Sequence, residues 1–290
     1  MSSSILDGKK LAVIGDPIEH SLSPLIQQAM LDALGIPCEY GRIHVPAGTV
    51  AEWLPGTPGL NLAGFNATMP HKTDLVPLMT TLSDDARMYR SVNTVVIRDG
   101  AFHGYNTDGA GFLRSLLDEG IQPEGKRIAV YGAGGAARSV VLKLNAEGAA
   151  QITVCCRTVA KAAELARASK RVQVVALGGK ENDEALAQAD IFINCTPLGM
   201  QGVPAQFDSF DFLDKLPAHT PVCDLIYRPM RTALLDEADK RGHLVMNGLG
   251  MLIHQAILAL EHFSDMTLDA ELMKAAIKKR LLPVLHNAAH

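Results

Sequence analysis

A glycine-rich segment near the middle of the chain limits the fold more than any other feature of the sequence. Residues 128–131 form a short apolar run typical of a buried strand, and the glycines follow it directly. After them, residues 136–147 have the apolar spacing of a helix, and residues 151–155 predict the next strand. Strand, glycine turn, helix and strand make one βαβ unit. The sequence therefore predicts an α/β fold with a Rossmann-like domain built on a parallel sheet.

The turn itself contains the residue types that a bound dinucleotide requires. Gly132 permits a tight turn, Gly134 lets the backbone approach a pyrophosphate, and the small Ala137 lets helix and strand pack closely. The N-terminus of the helix then meets the phosphate charge. A turn with only a structural role is the alternative, but the position between a strand and a helix favours a dinucleotide. The predicted contacts in the turn are Gly132, Ala133, Gly134, Gly135 and Ala136.

The end of the following strand distinguishes between the two nicotinamide cofactors. Proteins that select NAD usually have an Asp or Glu there, which binds the ribose hydroxyls. This chain has Arg157 and Thr158 instead, followed by Lys161, and together they offer three donors to a 2′-phosphate. The sequence therefore favours NADP. The alternative is that Arg157 and Lys161 only solvate the start of a helix.

The chain is long enough for two domains, since compact domains usually contain about 100–200 residues. Its 290 residues include a polar stretch with Gly and Pro at 119–125, just before the glycine-rich unit, and we place the boundary near residue 113. The first domain then spans residues 1–112. Further strands are predicted at 11–14, 172–177, 191–193, 221–223 and 244–246, and helices at 24–34 and 251–285.

Composition excludes several classes of function. The formal net charge is -4, with one Trp and no long basic run, so we expect no nucleic-acid partner. No run of about eighteen apolar residues occurs, and the first residues lack a secretory signal, so we expect no membrane partner and a cytoplasmic protein. The five cysteines have no CxxC spacing and predict reduced thiols, and no metal-ligand spacing is present. No heptad repeat gives the oligomeric state, and we expect a monomer or a homodimer.

Four clusters of polar residues in the first domain indicate a second binding site. Each follows an apolar run, and residues beyond the carboxyl ends of strands converge on one crevice of an α/β sheet. Their hydroxyls and amides suit a hydroxylated carboxylic acid, while Lys72 with Asp108 could transfer a proton. The clusters are residues 20–24, 66–72, 91–94 and 105–109.

Each cluster also has a simpler interpretation. Ser21 stands just before Ser23 and Pro24 and could only cap a helix. Asn93 and Asn106 are common turn residues. Lys72 could be an ordinary surface lysine.

With these motifs in the same order over nearly its whole length, the chain resembles the shikimate dehydrogenase family. Besides the polar motifs at 21–24, 66–72 and 106–109 and the glycine turn, the resemblance includes the motifs at 194–200, 224–229 and 250–255. It implies an NADP-dependent oxidoreductase of aromatic amino acid biosynthesis, which interconverts 3-dehydroshikimate and shikimate. It also implies an NADP domain at 113–249 and a substrate domain completed by helices at 250–290.

The resemblance assigns roles to individual residues. Lys72 and Asp108 are expected to form the catalytic pair. The expected substrate contacts are Ser21, Ser23, Asn66, Thr68, Asn93, Tyr227 and Gln255. The expected cofactor contacts outside the glycine turn and Arg157, Thr158 and Lys161 are Thr196, Gly248 and Met251.

Some positions depart from the family pattern and keep other functions open. Arg90 and Ser91 stand where Gly and Ala are usual, after Tyr89 in place of a small aliphatic residue. The other departures are Gln27, Gln28, Cys156 and Ala256. They leave a quinate or aminoshikimate dehydrogenase as an alternative. A non-catalytic sensor that binds shikimate and NADP is a further alternative, although the retained Lys72 and Asp108 argue against it.

Overall fold

The computed structural model describes residues 4–287, without the side chains of Lys161, His286 and Asn287. These residues separate into two compact units, one formed by residues 4–107 and 253–287 and the other by residues 108–252. The sequence placed the boundaries near 113 and 249. Residues 119–125 lie inside the second unit, because the helix that precedes them packs against the helix of the glycine turn.

Strands and helices are numbered along the whole chain. The elements of the first unit are β1 (Lys10–Gly15), α1 (Ser23–Ala33), β2 (Glu39–His44), α2 (Val50–Trp53), β3 (Leu62–Ala67), β4 (Thr81–Leu82), α3 (Asp84–Tyr89), β5 (Thr94–Arg98) and β6 (Ala101–Tyr105). Those that follow are α4 (Asp108–Asp118), β7 (Arg127–Tyr131), α5 (Gly135–Ala146), β8 (Gln151–Cys156), α6 (Val159–Ala168), β9 (Val172–Ala176), α7 (Lys180–Ala187), β10 (Ile191–Asn194), β11 (Val222–Asp224), α8 (Ala233–Lys240), β12 (Val245–Met246), α9 (Leu249–Ser264) and α10 (Ala270–Asn287). Short 3₁₀ helices occupy Leu54–Leu60, Val76–Leu78 and Asp211–Lys215.

The first unit contains a mixed six-stranded sheet in the order β2-β1-β3-β5-β6-β4. The strands β2, β1 and β3 are parallel, whereas β5 runs antiparallel to both β3 and β6. The carboxyl ends of β1, β3 and β6 therefore meet the amino end of β5 at one edge. Phe65 and Val95, cross-strand partners in β3 and β5, are fully buried in the core of this unit.

The C-terminal helices are part of the first unit. Helix α10 packs against α1, and an ion pair joins Arg280 to Asp32. The buried Gln27 of α1 donates a hydrogen bond of 3.0 Å from Nε2 to the carbonyl oxygen of Ala256 in α9. Two positions at which the chain departs from the pattern of the family that it resembles thus form one contact between helices.

The second unit contains a parallel six-stranded sheet in the order β12-β11-β10-β7-β8-β9. The strand order reverses between β7 and β10, which is the point where open α/β sheets bind their ligands. The predicted parallel sheet and Rossmann-like architecture are confirmed. The strands are buried because their apolar residues lie between helices on the two faces, as in the cluster of Ala129, Phe192 and Leu186. Among the described residues, no helix is long and apolar enough to span a membrane.

Candidate active site

Three asparagines lie at the polar edge of the first sheet and are nearly buried. Asn66 of β3 lies opposite Thr94 of β5, and only 7% of its surface is exposed. Its Nδ2 donates to the carbonyl oxygen of Asn93 at 3.1 Å and to Oγ1 of Thr94 at 2.9 Å, while Oδ1 accepts from the Tyr40 hydroxyl at 2.7 Å. Both amide hydrogens of Asn66 are therefore used inside the protein. Only its remaining oxygen lone pair could accept from a substrate hydroxyl.

The second asparagine connects β5 with the end of β6. Asn93 Nδ2 donates to Oγ1 of Thr107 at 2.9 Å, and its Oδ1 accepts from the backbone amide of Thr107 at 3.0 Å. Asn106 Nδ2 donates to the carbonyl oxygen of Ser91 at 2.9 Å. The clusters that the sequence places at separate strand ends are thus joined within one network. Thr94 and Thr107 belong to this network; the sequence analysis included both in its polar clusters but assigned them no role.

One of the four clusters reaches the edge in a different way from the others. The sequence analysis treated each cluster as the sequel to a strand, but residues 91–94 precede β5. Because β5 is antiparallel, its amino end lies beside the carboxyl ends of its neighbours. The Asp99–Gly100 turn, with φ values of 51° and 75°, was the available signal for this hairpin.

The loop between β1 and α1 contains both predicted serines. Ser21 Oγ accepts from the Ser23 backbone amide at 3.3 Å. Ser21 therefore bonds to the first residue of α1, which agrees in part with the simpler interpretation that it caps this helix. Its hydroxyl hydrogen remains able to donate to a carboxylate. Arg42 fixes the loop by donating from Nε and Nη2 to the Ser21 carbonyl oxygen, at 3.2 and 2.7 Å. The sequence analysis did not select Arg42.

The remaining predicted substrate and catalytic residues lie in several elements. Thr68 follows β3 and is half-buried, as is Lys72, whose carbonyl oxygen accepts from the Val92 amide at 2.7 Å. Asp108 is the buried first residue of α4, in the second unit, so its pairing with Lys72 stays a prediction. Two half-buried residues complete the set, Gln255 in α9 and Tyr227 after β11, and burial raises the pKa of the Tyr227 hydroxyl.

The glycine turn of the second unit has the backbone that the sequence predicted. Gly132 has a φ of 99°, and a Cβ there would lie 3.0 Å from the Cys195 backbone and from Thr196 Cγ2. Gly134 and Gly135 are exposed, and a Cβ on either would meet open space. Gly135 begins α5, so the backbone amides of the first turn have no carbonyl acceptor within the helix. This cradle fits a dinucleotide pyrophosphate.

The residues after β8 also fit the cofactor that the sequence favoured. Arg157 and Thr158 are exposed at the carboxyl end of β8, and no carboxylate stands at 155–158. A guanidinium and a hydroxyl there suit a 2′-phosphate. Lys161 belongs to α6, but its side chain lies outside the described residues.

A buried carboxyl group lies at the carboxyl ends of β10 and β11. Asp224 is fully buried and accepts from Asn194 Nδ2 at 3.0 Å, from the Ile226 amide at 3.1 Å and from Thr232 Oγ1 at 2.7 Å. Burial raises the pKa of Asp224 to about 6, while these hydrogen bonds act in the opposite direction. The sequence analysis included Asn194 and Asp224 in family motifs but assigned them no role.

The departures around Tyr89 have specific positions. Tyr89 is fully buried at the end of α3, and Ser91 is buried beside Asn106. Arg90 is exposed and left-handed, with a φ of 51°. Glycine adopts this conformation without steric cost, which is a physical reason for the glycine that the resemblance leads us to expect at this position. All five cysteines have free thiols, and among the described residues no group of His, Cys, Asp and Glu could hold a metal ion.

Models of known protein families match three parts of the chain. The shikimate dehydrogenase substrate binding domain matches residues 13–95, the shikimate / quinate 5-dehydrogenase domain matches 117–199, and the shikimate 5'-dehydrogenase C-terminal domain matches 248–278. A shikimate dehydrogenase (NADP(+)) of Symbiobacterium thermophilum is 39% identical over 95% of both chains. The chain belongs to the shikimate dehydrogenase family.

Solved structures of shikimate dehydrogenases share the fold. One in complex with NADP+ has a TM-score of 0.85 and 34% identity, and the alignment covers 97% of this chain and 99% of the other. The enzyme of Thermus thermophilus, in complex with NADP(H) and shikimate, has a TM-score of 0.81 and 30% identity, with coverage of 94% and 100%. Both ligands predicted from the sequence are thus bound by members of the shikimate dehydrogenase family.

Proposed function

We propose that the chain is an NADP-dependent shikimate dehydrogenase, which catalyses the reversible reduction of 3-dehydroshikimate to shikimate. The observation that carries the proposal is the hydrogen-bonded polar edge of the first sheet, in a chain similar over 95% of its length to a shikimate dehydrogenase (NADP(+)). Such an edge suits a ligand with several hydroxyl groups, because buried amides and hydroxyls require polar partners.

The glycine turn and the end of β8 would hold NADP. The amides at Gly134, Gly135 and Ala136 are proposed to bind the pyrophosphate, and Arg157, Thr158 and Lys161 the 2′-phosphate. Thr196, Gly248 and Met251 are proposed to contact the rest of the cofactor. When bound, NADP supplies or accepts the hydride.

Lys72 is proposed as the acid and base of the reaction. In the oxidation of shikimate, its amino group accepts the proton of the reacting hydroxyl, and in the reduction its ammonium returns that proton. Asp108 is proposed to orient Lys72, since a carboxylate restricts a flexible ammonium and balances its charge. Thr68, like Lys72, lies in the segment that follows β3, and it is proposed to bind a hydroxyl group next to the reacting one.

The other side chains are proposed to fix the orientation of the acid. Ser21 and Ser23 would donate hydroxyl hydrogens to its carboxylate, and Arg42 holds that loop in place. Asn93, Gln255 and Tyr227 are proposed to bind the ring hydroxyls. Asn66 contributes mainly by holding Asn93 and Thr94, because both of its amide hydrogens are already donated.

Spectrophotometric assays test the function directly. The purified protein is incubated with NADP+ and, separately, millimolar shikimate, quinate or aminoshikimate, and nucleotide reduction is followed, with NAD+ as the parallel cofactor. The proposal expects the highest kcat/KM with shikimate and NADP+. A preference for quinate or aminoshikimate would reassign the substrate, and a preference for NAD+ would contradict the cofactor. Ligand binding without any turnover would favour the sensor.

Two further proposals concern the protein as a whole. A cytoplasmic location and a monomeric or homodimeric state are proposed from the sequence alone. Cell fractionation tests the first, and light scattering of the purified protein tests the second. A membrane-bound fraction or a larger assembly would contradict them.

A further inference from the structure

The ends of β10 and β11 are joined by side chains at the same register position. Asn194 and Asp224 are partners in the parallel ladder, and the amide of one donates to the carboxylate of the other at 3.0 Å. Both residues are fully buried. Buried polar side chains normally have hydrogen-bond partners, and here both side chains form several hydrogen bonds.

From Asn194 the network continues to the glycine turn. Asn194 Oδ1 accepts from the backbone amide of Thr196 at 3.0 Å and from its Oγ1 at 2.6 Å, which fixes the rotamer of Thr196. The methyl group of Thr196 then lies 3.0 Å from the Cβ position of Gly132. A change at Asn194 would thus alter the wall of the turn without touching the turn itself.

From Asp224 a second branch leads to Gly248. The carboxylate accepts from the Ile226 amide at 3.1 Å, and the Ile226 carbonyl oxygen accepts from the Gly248 amide at 3.0 Å. A Cβ on Gly248 would lie only 1.9 Å from the Leu225 carbonyl oxygen, so these two backbone segments are in close contact. Thr196 and Gly248, both proposed cofactor contacts, are therefore fixed by one carboxylate.

We propose that Asp224 is a positioning residue of the dinucleotide site, which holds Thr196 through Asn194 and Gly248 through the Ile226 backbone. The inference rests on the proposed function for the identity of the cofactor. Asp224 itself contacts neither cofactor nor substrate in this proposal. The raised pKa of the Asp224 carboxyl group is consistent with this role. Burial of a carboxylate costs desolvation free energy, and here its oxygens offset that cost by accepting three hydrogen bonds.

Direct binding of NADPH to the full-length protein, followed by cofactor fluorescence without substrate, tests the proposal. Asp224→Ala removes every acceptor and is expected to raise the Kd for NADPH about tenfold, a size typical of hydrogen bonds to charged groups. Asp224→Asn is expected to stay within about twofold, because its Oδ1 can accept from Asn194 and Ile226 while its Nδ2 donates to Thr232. Rescue by the conservative variant distinguishes lost hydrogen bonds from a lost charge.

A matched control lies at the opposite end of the same sheet. Asp190 accepts from the Arg127 backbone amide at 2.8 Å, at the amino end of β7. Asp190→Ala removes a partly exposed carboxylate that is bonded to the same sheet, and it is expected to leave the Kd within twofold. An equal rise in Kd for Asp190→Ala and Asp224→Ala would overturn the proposal, since general destabilisation would then explain both.

A double-mutant cycle tests the route and does not depend on one variant alone. Asn194→Ala is expected to raise the Kd for NADPH severalfold, and Asp224→Ala in that background is expected to add less than it does in the wild-type chain. If the fold-increase in Kd of the double variant equals the product of the two single fold-increases, the route through Asn194 is overturned. If Asp224→Ala does not fold, an unchanged Kd in Asn194→Ala overturns the route. Shikimate turnover by the wild-type protein tests the proposed function separately, so the two can fail independently.

Discussion

At the scale of single residues, hydrogen-bond partners distinguish groups that bind from groups that position. The amide hydrogens of Asn66 are donated within the protein, whereas the hydroxyl hydrogen of Ser21 remains available. The sequence analysis predicted both Asn66 and Ser21 as substrate contacts, because a sequence shows which residue types are present but not which groups they bond to. Lys72 is half-buried at the same edge, and its proposed role is the most direct to test.

Replacement of Lys72 by Ala is expected to reduce kcat by about 10²–10⁴-fold, because proton transfer loses its acid and base. The Kd for shikimate should change much less, since other side chains bind the acid. Stopped-flow turnover and calorimetric binding measure the two quantities. Lys10→Ala is the control, because Lys10 pairs with Glu39 at the amino end of β1. Near-normal turnover of Lys72→Ala would contradict its role.

Arg90→Gly is expected to raise the free energy of unfolding by up to about 1 kcal/mol, because glycine adopts the left-handed conformation without steric cost. Urea unfolding measures this change. Arg87→Gly, within the right-handed part of α3, is the control and should lower stability by about 1 kcal/mol. If both variants lose stability alike, the backbone explanation of the family glycine fails.

At the scale of elements, hydrophobic spacing predicted the parallel strands of the second unit with small shifts at their ends. The predicted run at 151–155 is β8 (Gln151–Cys156), and that at 221–223 is β11 (Val222–Asp224). In the first unit only β1 was predicted as a strand. The strands β2 to β6 were not, because polar residues and glycines, such as His103 and Gly104 in β6, interrupt their apolar runs. The glycine turn is the element whose backbone the sequence determined most directly.

Alanine substitutions in the turn should separate stability from cofactor binding. Gly132→Ala is expected to lower both, because its φ of 99° and the 3.0 Å contacts leave no room for a methyl group. Gly134→Ala should preserve stability, since its Cβ position is open, but raise the Kd for NADPH about tenfold by occupying the space that the pyrophosphate needs. Thermal unfolding and fluorescence titration measure the two effects. Equal loss of stability in both variants would contradict this separation.

At the scale of the whole molecule, the first unit combines two distant parts of the chain. Residues 4–107 supply the sheet and residues 253–287 supply helices that pack against α1. Composition predicts no basic nucleic-acid surface, whereas long-range contacts such as that between Gln27 and Ala256 follow from tertiary packing alone.

The buried carboxyl group of Asp224 should affect global stability as pH changes. Its pKa rises from 3.8 to about 6 on folding, so its stabilising contribution is fully present below 3.8 and is lost as the pH rises through 6. The loss is on the order of 3 kcal/mol. Relative to Asp224→Asn, the wild-type protein should therefore lose stability as the pH rises from about 4 to about 6. Urea midpoints of both proteins measure this, and parallel pH profiles would disprove the shift.

The sequence by itself determined the α/β class, the glycine turn and the residue types that favour NADP, because these depend on local spacing and backbone requirements. Only the tertiary structure decided how the polar clusters meet, since the antiparallel β5 brings Asn93 to an edge that its position along the chain does not indicate. It also decided that one buried carboxylate connects Thr196 with Gly248. Hydrogen bonds between residues distant in sequence depend on strand order, which local patterns do not encode.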